Sequence, residues 1–338
     1  MTHSPQRVSG TEPLLLVAED LRKSYGNRTA LRGLSFSLKA GHILGFLGPN
    51  GAGKTTSIRI LTTMMEPTSG SFVVDGTSSK DPEAIRRKIG VLPEGLGFPK
   101  RITGFEYLTY FGQLYGRTAP NAKAYALELL KEVGMQERGR SLIDTYSHGM
   151  RQRLGIARAL VNDPVVIFLD EPTLGLDPRG QQELLSLVRR ITQERQIGVV
   201  LCSHALSEIE GICDDVVILS SGQVVASGTV AELIGRARQN VKQHNVFRIQ
   251  VQATMVAEAQ QILAVTPHVL KVTPTGEEAG WLQVELADAD GGGLEQEHHL
   301  NNRLLEALIR ANIPILSFAV EGGRLQDVFL NLTAETIS

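Results

Sequence analysis

Cysteine is almost missing from this sequence: Cys202 and Cys213 are the only two among 338 residues. So few thiols exclude a disulfide framework, and their spacing fits no zinc site. Cys202 lies in the apolar run GVVLC and reads as a buried core thiol. A strong excess of one charge is also lacking. The net charge is −2, with 28 basic and 24 acidic side chains before residue 241 and 6 against 12 after it. Nucleic-acid binders concentrate basic charge on the binding domain, so no nucleic-acid partner is expected. Long hydrophobic runs are missing too. None approaches the roughly 18–20 apolar residues that cross a bilayer, and LLLVA at 14–18 is too short for a signal peptide's apolar region. These absences predict a soluble, cytoplasmic chain.

What is present suffices for a sizeable core, with 42% hydrophobic and 21% charged residues, and the length suits two domains. Residues 1–13 read as a disordered lead-in. From 14 to 240, short apolar runs alternate with helical patterns. FVVDG, IGVLP, VVIFLD and GVVLCSH read as strands, the last two almost wholly apolar, as buried parallel strands are. GKTTSIRILTTMM, AKAYALELLKEVG, RQRLGIARALV and QQELLSLVRRIT read as helices, with Met64 and Met65 at the end of the first expected in the core. The alternation predicts an α/β fold with a mainly parallel sheet. SFSLKAG and SFVVDG add an antiparallel β part, and residues 100–162 a helical subdomain. Beyond 240 the order VFRIQVQ, MVAEAQQILA, VLKVTP, WLQVEL, NNRLLEALIRAN, ILSFAV is β-α-β-β-α-β. That order predicts a ferredoxin-like α+β domain over 241–338. RLQDVFLNLT closes it as an amphipathic helix, with Leu325, Val328, Phe329 and Leu332 at helical spacing.

Residues 48–55, GPNGAGKT, fit G-x-x-x-x-G-K-[ST] without a mismatch, between a strand candidate (HILGFL) and a helix. Gly48, Gly51 and Gly53 let the backbone wrap phosphates, with Asn50 in the loop and Thr56 continuing the cradle. The helix start adds N–H donors and its dipole. Lys54 would reach the terminal phosphates and Thr55 would ligate Mg²⁺. VVIFLDEP then places Asp170 at the carboxyl end of a buried strand, where open α/β sheets put their chemistry. Asp170 would hold Mg²⁺ through its waters, and Glu171 would polarise an attacking water as general base. His204, past the end of the next apolar strand, would emerge on the same edge as a γ-phosphate contact. Together these residues predict a P-loop NTPase.

GPNGAGKTT, YSHGMRQR, VVIFLDEP, LGLD at 174–177 and the Ser203-His204 pair occur in the order found in ATP-binding subunits of ABC transporters. The resemblance covers roughly residues 14–235. The variant signature YSHGMRQR and the tail ending LQDVFLNLT are most similar to the group paired with ABC-2 type exporters. The resemblance implies ATP, Mg²⁺ and two nucleotide domains closing head to tail. Ser147 would give its hydroxyl and Gly149 its N–H to the partner's γ-phosphate, while Ser147 also reads as a helix cap. Arg151 and Arg153 would decorate the exposed face. With one P-loop and one signature per chain, two chains are needed for two sites, which implies a homodimer, or else a heterodimer. Tyr25 resembles the aromatic that stacks on adenine, and Asp177 would sit at the dimer interface. Glu94 occupies the position of a glutamine that touches both Mg²⁺ and the membrane partner. The implied function is an ATPase subunit powering a separate ABC-2 type permease, peripheral on the inner face of the cell membrane.

Three residues depart from the family pattern. Glu94 stands for glutamine, His148 for the signature's first glycine and Met150 for its final glutamine. A side chain at 148 must turn away from a phosphate bound there, and an outward-facing ring is expected. Two other readings stay open: a non-transport ABC ATPase, and a catalytically weak ATP-dependent switch, which the extra charge of Glu94 keeps in play.

Overall fold

The computed structural model describes residues 13–329 apart from 96, 100, 204, 241–244, 276–279, 288–293, 321–324 and 326–327. Two compact units divide after Val230. In chain order the first contains β1 (Leu14–Tyr25), β2 (Arg28–Lys39), β3 (Ile43–Leu47), α1 (Lys54–Leu61), β4 (Ser69–Val74), β5 (Thr77–Ser78), α2 (Pro82–Lys88), β6 (Ile89–Leu92), α3 (Gly104–Leu114), α4 (Ala119–Glu132), α5 (His148–Ala159), β7 (Val166–Asp170), α6 (Pro178–Arg195), β8 (Gly198–Cys202), α7 (Leu206–Ile212), β9 (Asp215–Ser220) and β10 (Gln223–Thr229). α8 (Val230–Asn240) begins at the division.

Two sheets organise this unit. The antiparallel one has the order β2-β1-β4-β5, and the other runs β10-β9-β3-β8-β7-β6. In the second, every pairing from β9 to β6 is parallel, and β10 closes the edge antiparallel to β9. All five residues of β3 and of β8 are buried. Strands covered on both faces need apolar side chains at every position, which explains the unbroken runs in the sequence. Leu16, Leu34, Leu38, Phe46, Leu61 and Phe168 join the two sheets and α1 in one core.

The helical stretch between β6 and β7 is braced by polar contacts within itself and to α6. Thr103 and Glu106 make reciprocal bonds that start α3. On α4, the Tyr125 hydroxyl donates to Asp163, and Glu132 pairs with Arg195 of α6 at 2.6 Å. Burial, then the hydrogen bond to Asp163, push the Tyr125 phenol up to about 12. Arg153 does not decorate an exposed face. It bonds the Val133 carbonyl at 3.2 Å and Glu183 at 3.3 Å, because α5 packs between the end of α4 and α6. Met64 is likewise not core: α1 ends at Leu61, and the turn after it leaves Met64 75% exposed while Met65 packs inward.

The second unit holds β11 (Asn245–Val251), α9 (Val256–Ala264), β12 (Val269–Pro274), β13 (Trp281–Leu286), α10 (Leu294–Arg310) and β14 (Ile315–Val320). Its sheet has the order β12-β13-β11-β14, antiparallel throughout. Phe247, Ile249, Leu282 and Val284 of the sheet meet Ala259 and Leu263 of α9 and Leu304 and Leu308 of α10. Most of the RLQDVFLNLT segment lies outside the described residues. Within it Leu325, Val328 and Phe329 are helical, and Leu325 and Val328 are buried.

Candidate functional site

The phosphate-loop motif turns between β3 and α1, and its glycines are there by necessity. A Cβ on Gly48 would lie 2.4 Å from the Leu219 carbonyl oxygen. Gly53 has φ +111°, and a Cβ there would meet Leu31 Cδ2 at 2.7 Å. Any side chain at either position would push the loop off β9 or β2. Lys54 Nζ folds back to donate to the Gly48 carbonyl at 2.5 Å and the Pro49 carbonyl at 3.3 Å, and Ser57 Oγ donates to Gly53 O at 3.0 Å.

One cleft of about 770 Å³ gathers Tyr25, Asn50, Gly51, Gly53, Lys54, Thr55, Thr56, Glu94, Asp170 and Glu171. Residues more than a hundred positions apart meet there because β3 and β7 flank β8 in the same parallel sheet. Gly48, the first residue of the motif, is not among the residues lining the cleft. Tyr25, at the end of β1, is 46% exposed, and its hydroxyl donates to Met65 Sδ at 2.9 Å. That bond fixes the ring at the rim of the cleft.

The acidic wall is built at the end of β7. Asp170 is half-buried. Desolvation raises its pKa above the ordinary carboxylate range, the charges of Glu94 and Glu171 add to this, and Lys54 and Arg59 oppose it. Glu171 has φ +48°, a left-handed backbone for a residue with a Cβ. Such a conformation costs of order 1–3 kcal/mol and concentrates at functional sites. The Glu171 N–H donates to the Cys202 carbonyl at 2.9 Å, tying the acid to the end of β8. Behind it the buried Glu208 of α7 accepts hydrogen bonds from Thr173 at 2.7 Å and Ser203 at 2.8 Å. The loops after β7 and β8 are therefore held by one carboxylate. His204 lies outside the described residues.

Three predicted positions are elsewhere. Ser147, Gly149 and Asp177 are not among the residues lining the cleft. Ser147 caps α5 by accepting from the Met150 N–H at 3.3 Å, so the capping reading holds. Asp177 caps α6 through the Gly180 N–H at 2.9 Å. His148 turns its ring to Leu174, with Nε2 2.7 Å from the carbonyl oxygen.

Sequence reasoning missed Arg28, Thr29, Arg32, Leu174 and Ser221, which also line the cleft. The two arginines follow Tyr25 across the β1–β2 turn, so placing the tyrosine could have led to them. Glu208 carried no signal, since one acid in a short helix looks like any surface residue.

The donor set fits a magnesium nucleotide. The glycines leave room for close backbone approach, and three carboxylates beside Lys54 set a cation site against an anion site. Among the described residues no three His, Cys, Asp or Glu side chains form a metal cluster. Mg²⁺ bound with a nucleotide keeps waters and phosphate oxygens and takes one or two protein carboxylates. No helix among the described residues is long and apolar enough to cross a membrane.

The family model for ABC transporters matches residues 31–174. The linearmycin resistance ATP-binding protein of Bacillus subtilis (strain 168) is 34% identical, over 96% of this chain and 99% of its own length. The daunorubicin/doxorubicin resistance ATP-binding protein of Streptomyces peucetius is 34% identical over 93% of this chain and 90% of its own. A solved dimeric bacterial ABC transporter cassette is 25% identical with a TM-score of 0.57, covering 63% of this chain and 98% of that one. The relatives match both units of the chain, and the solved cassette covers a length close to that of the first. With the phosphate loop, the acid pair and the adjoining tyrosine in a single cleft, these matches establish that the chain belongs to the ABC transporter family, as an ATP-binding subunit with ATPase activity.

Proposed function

We propose that the chain is the ATPase subunit of an ABC-2 type exporter, acting as a head-to-tail homodimer on a permease carried by a separate polypeptide at the inner face of the cell membrane. The observation that carries this reading is that the nucleotide cleft is one-sided. It contains the phosphate loop, Asp170, Glu171 and Tyr25, while no residue of the Ser147–Gly149 helix start lines it. Ser147, His148 and Asp177 are exposed, as groups offered to a facing chain must be. Two copies related by a two-fold axis would each complete the other's site, and the dimeric cassette supports that arrangement.

In this reading Lys54 and the loop N–H groups bind the phosphates, and Tyr25 stacks on the base. Thr55, Asp170 and Glu94 would hold Mg²⁺, which neutralises phosphate charge when bound. Glu171 takes a proton from the attacking water, and Ser147 and Gly149 reach the γ-phosphate of the facing chain. His204, by its place in the sequence after Ser203, joins them there. The resistance names of the relatives favour export over uptake. The sheet order β12-β13-β11-β14 supports reading the second unit as a ferredoxin-like domain over 241–338.

Gentle solubilisation of membranes and purification through a tagged chain tests the pairing. The expected result is a polytopic membrane protein in stoichiometric amount. Recovery of soluble partners alone would favour a non-transport ABC ATPase. The exposed Glu94, which adds charge beside Asp170, favours a second reading as a weak switch. Turnover by the wild type no faster than that of Glu171→Gln would select it.

A further inference from the structure

His148 stands at the first position of α5, directly after the capping Ser147. It is exposed, yet its ring is engaged. Nε2 lies 2.7 Å from the Leu174 carbonyl oxygen. A carbonyl only accepts, so the imidazole carries its proton on Nε2 in this contact. The loop backbone can come this close because the next residue is Gly175, at φ +79°, where a Cβ would lie 3.4 Å from His148 Nε2. Gln152, one turn further along α5 and 5% exposed, packs against the ring, its carboxamide nitrogen 3.5 Å from Nε2; with both nitrogens carrying hydrogen this is packing and not a hydrogen bond. A glycine at 148 could make neither contact.

We propose that His148 is a positioning residue for ATP hydrolysis. Its bond fastens the start of α5, with Ser147 and Gly149, to the loop 174–177 that carries Asp177. The two segments then meet a facing chain as one piece, and Leu174, which lines the chain's own nucleotide cleft, ties that piece to the site on the same chain. This role rests on the dimer reading above. The imidazole does not touch substrate; it acts through Ser147, Gly149 and Asp177.

The test uses the full chain with His148→Gln, His148→Asn and His148→Ala. A glutamine amide reaches the position of Nε2, whereas an asparagine amide stops at that of Nδ1. The site is exposed, so all three variants should fold, with unchanged melting temperature as the check. In nucleotide-free protein, amide exchange over 174–177 should accelerate about fivefold in the Asn and Ala variants, the scale of one neutral hydrogen bond, and stay near wild type in the Gln variant. The kcat for ATP should fall by about the same factor in Asn and Ala and be rescued in Gln, while equilibrium binding of a fluorescent nucleotide analogue stays constant. Wild-type exchange and kcat in the Asn and Ala variants, or loss in all three alike, would overturn the proposal. A wild type that turns over ATP while remaining monomeric would sink the dimer reading instead; the exchange pattern and the Gln rescue would still decide the role of His148.

Discussion

Thr173 Oγ1 donates to Glu208 Oε2 at 2.7 Å, and both side chains are buried. The same carboxylate oxygen accepts from Ser203 at 2.8 Å. One acid on α7 thus ties the segment after Glu171 to the segment before His204. Removing it would leave two buried hydroxyls without their acceptor, at about 1–3 kcal/mol for each group left unpaired. Glu208→Ala is expected to lower urea-unfolding stability by about 2–6 kcal/mol and to reduce ATPase activity. Glu208→Gln keeps an acceptor oxygen and should lose less than half as much. Equal losses would mean that the charge matters rather than the acceptor.

The three carboxylates in the cleft have a pH consequence. Burial, then the charges of Glu94 and Glu171, raise the Asp170 pKa. A raised folded-state value means that the nucleotide-free fold holds this proton more tightly than the unfolded chain does. Its contribution to stability is complete below the unfolded carboxylate value of about 3.9. It is lost as pH rises through the higher folded value. Glu94→Gln removes the largest charge contribution. Carbon NMR should then find Asp170 titrating at lower pH, and nucleotide-free protein should gain stability at neutral pH. An unmoved Asp170 titration would show that the charge of Glu94 does not reach it. A tenfold rise in ATPase activity in the same variant would identify the native charge as a brake.

Tyr25 offers a ring at the rim of the cleft, held by its bond to Met65. Stacking on a base contributes about 1–3 kcal/mol, so Tyr25→Ala should raise the Kd for ATP by roughly fivefold to a hundredfold. Tyr25→Phe keeps the stacking face and should stay within about threefold, since only the bond to Met65 is lost. Calorimetric titration separates the two variants. Unchanged binding in Tyr25→Ala would remove the tyrosine from the site.

Much of this arrangement was legible because local chemistry left few choices. The glycines of the phosphate loop, the wholly apolar β8 and the apolar run of β7 that ends at Asp170 are local signals, and the cleft unites them. What stayed hidden depends on packing between distant segments. Arg153 looked like surface charge until α4 and α6 closed around it. Met64 looked like core because the helical pattern ran past the true end of α1. Glu208 and the contact from His148 to Leu174 join loops whose proximity no spacing in the sequence reveals.

In the proposed dimer each nucleotide site requires two chains. Glu171→Gln should bind ATP without hydrolysing it and so hold the closed state. Its mass by light scattering with ATP and Mg²⁺ is the most direct test. Doubling to a dimer is expected with ATP, a monomer with ADP, and a monomer with ATP when Ser147 is also changed to Arg. A monomer that binds ATP fully at concentrations well above the Kd would contradict it.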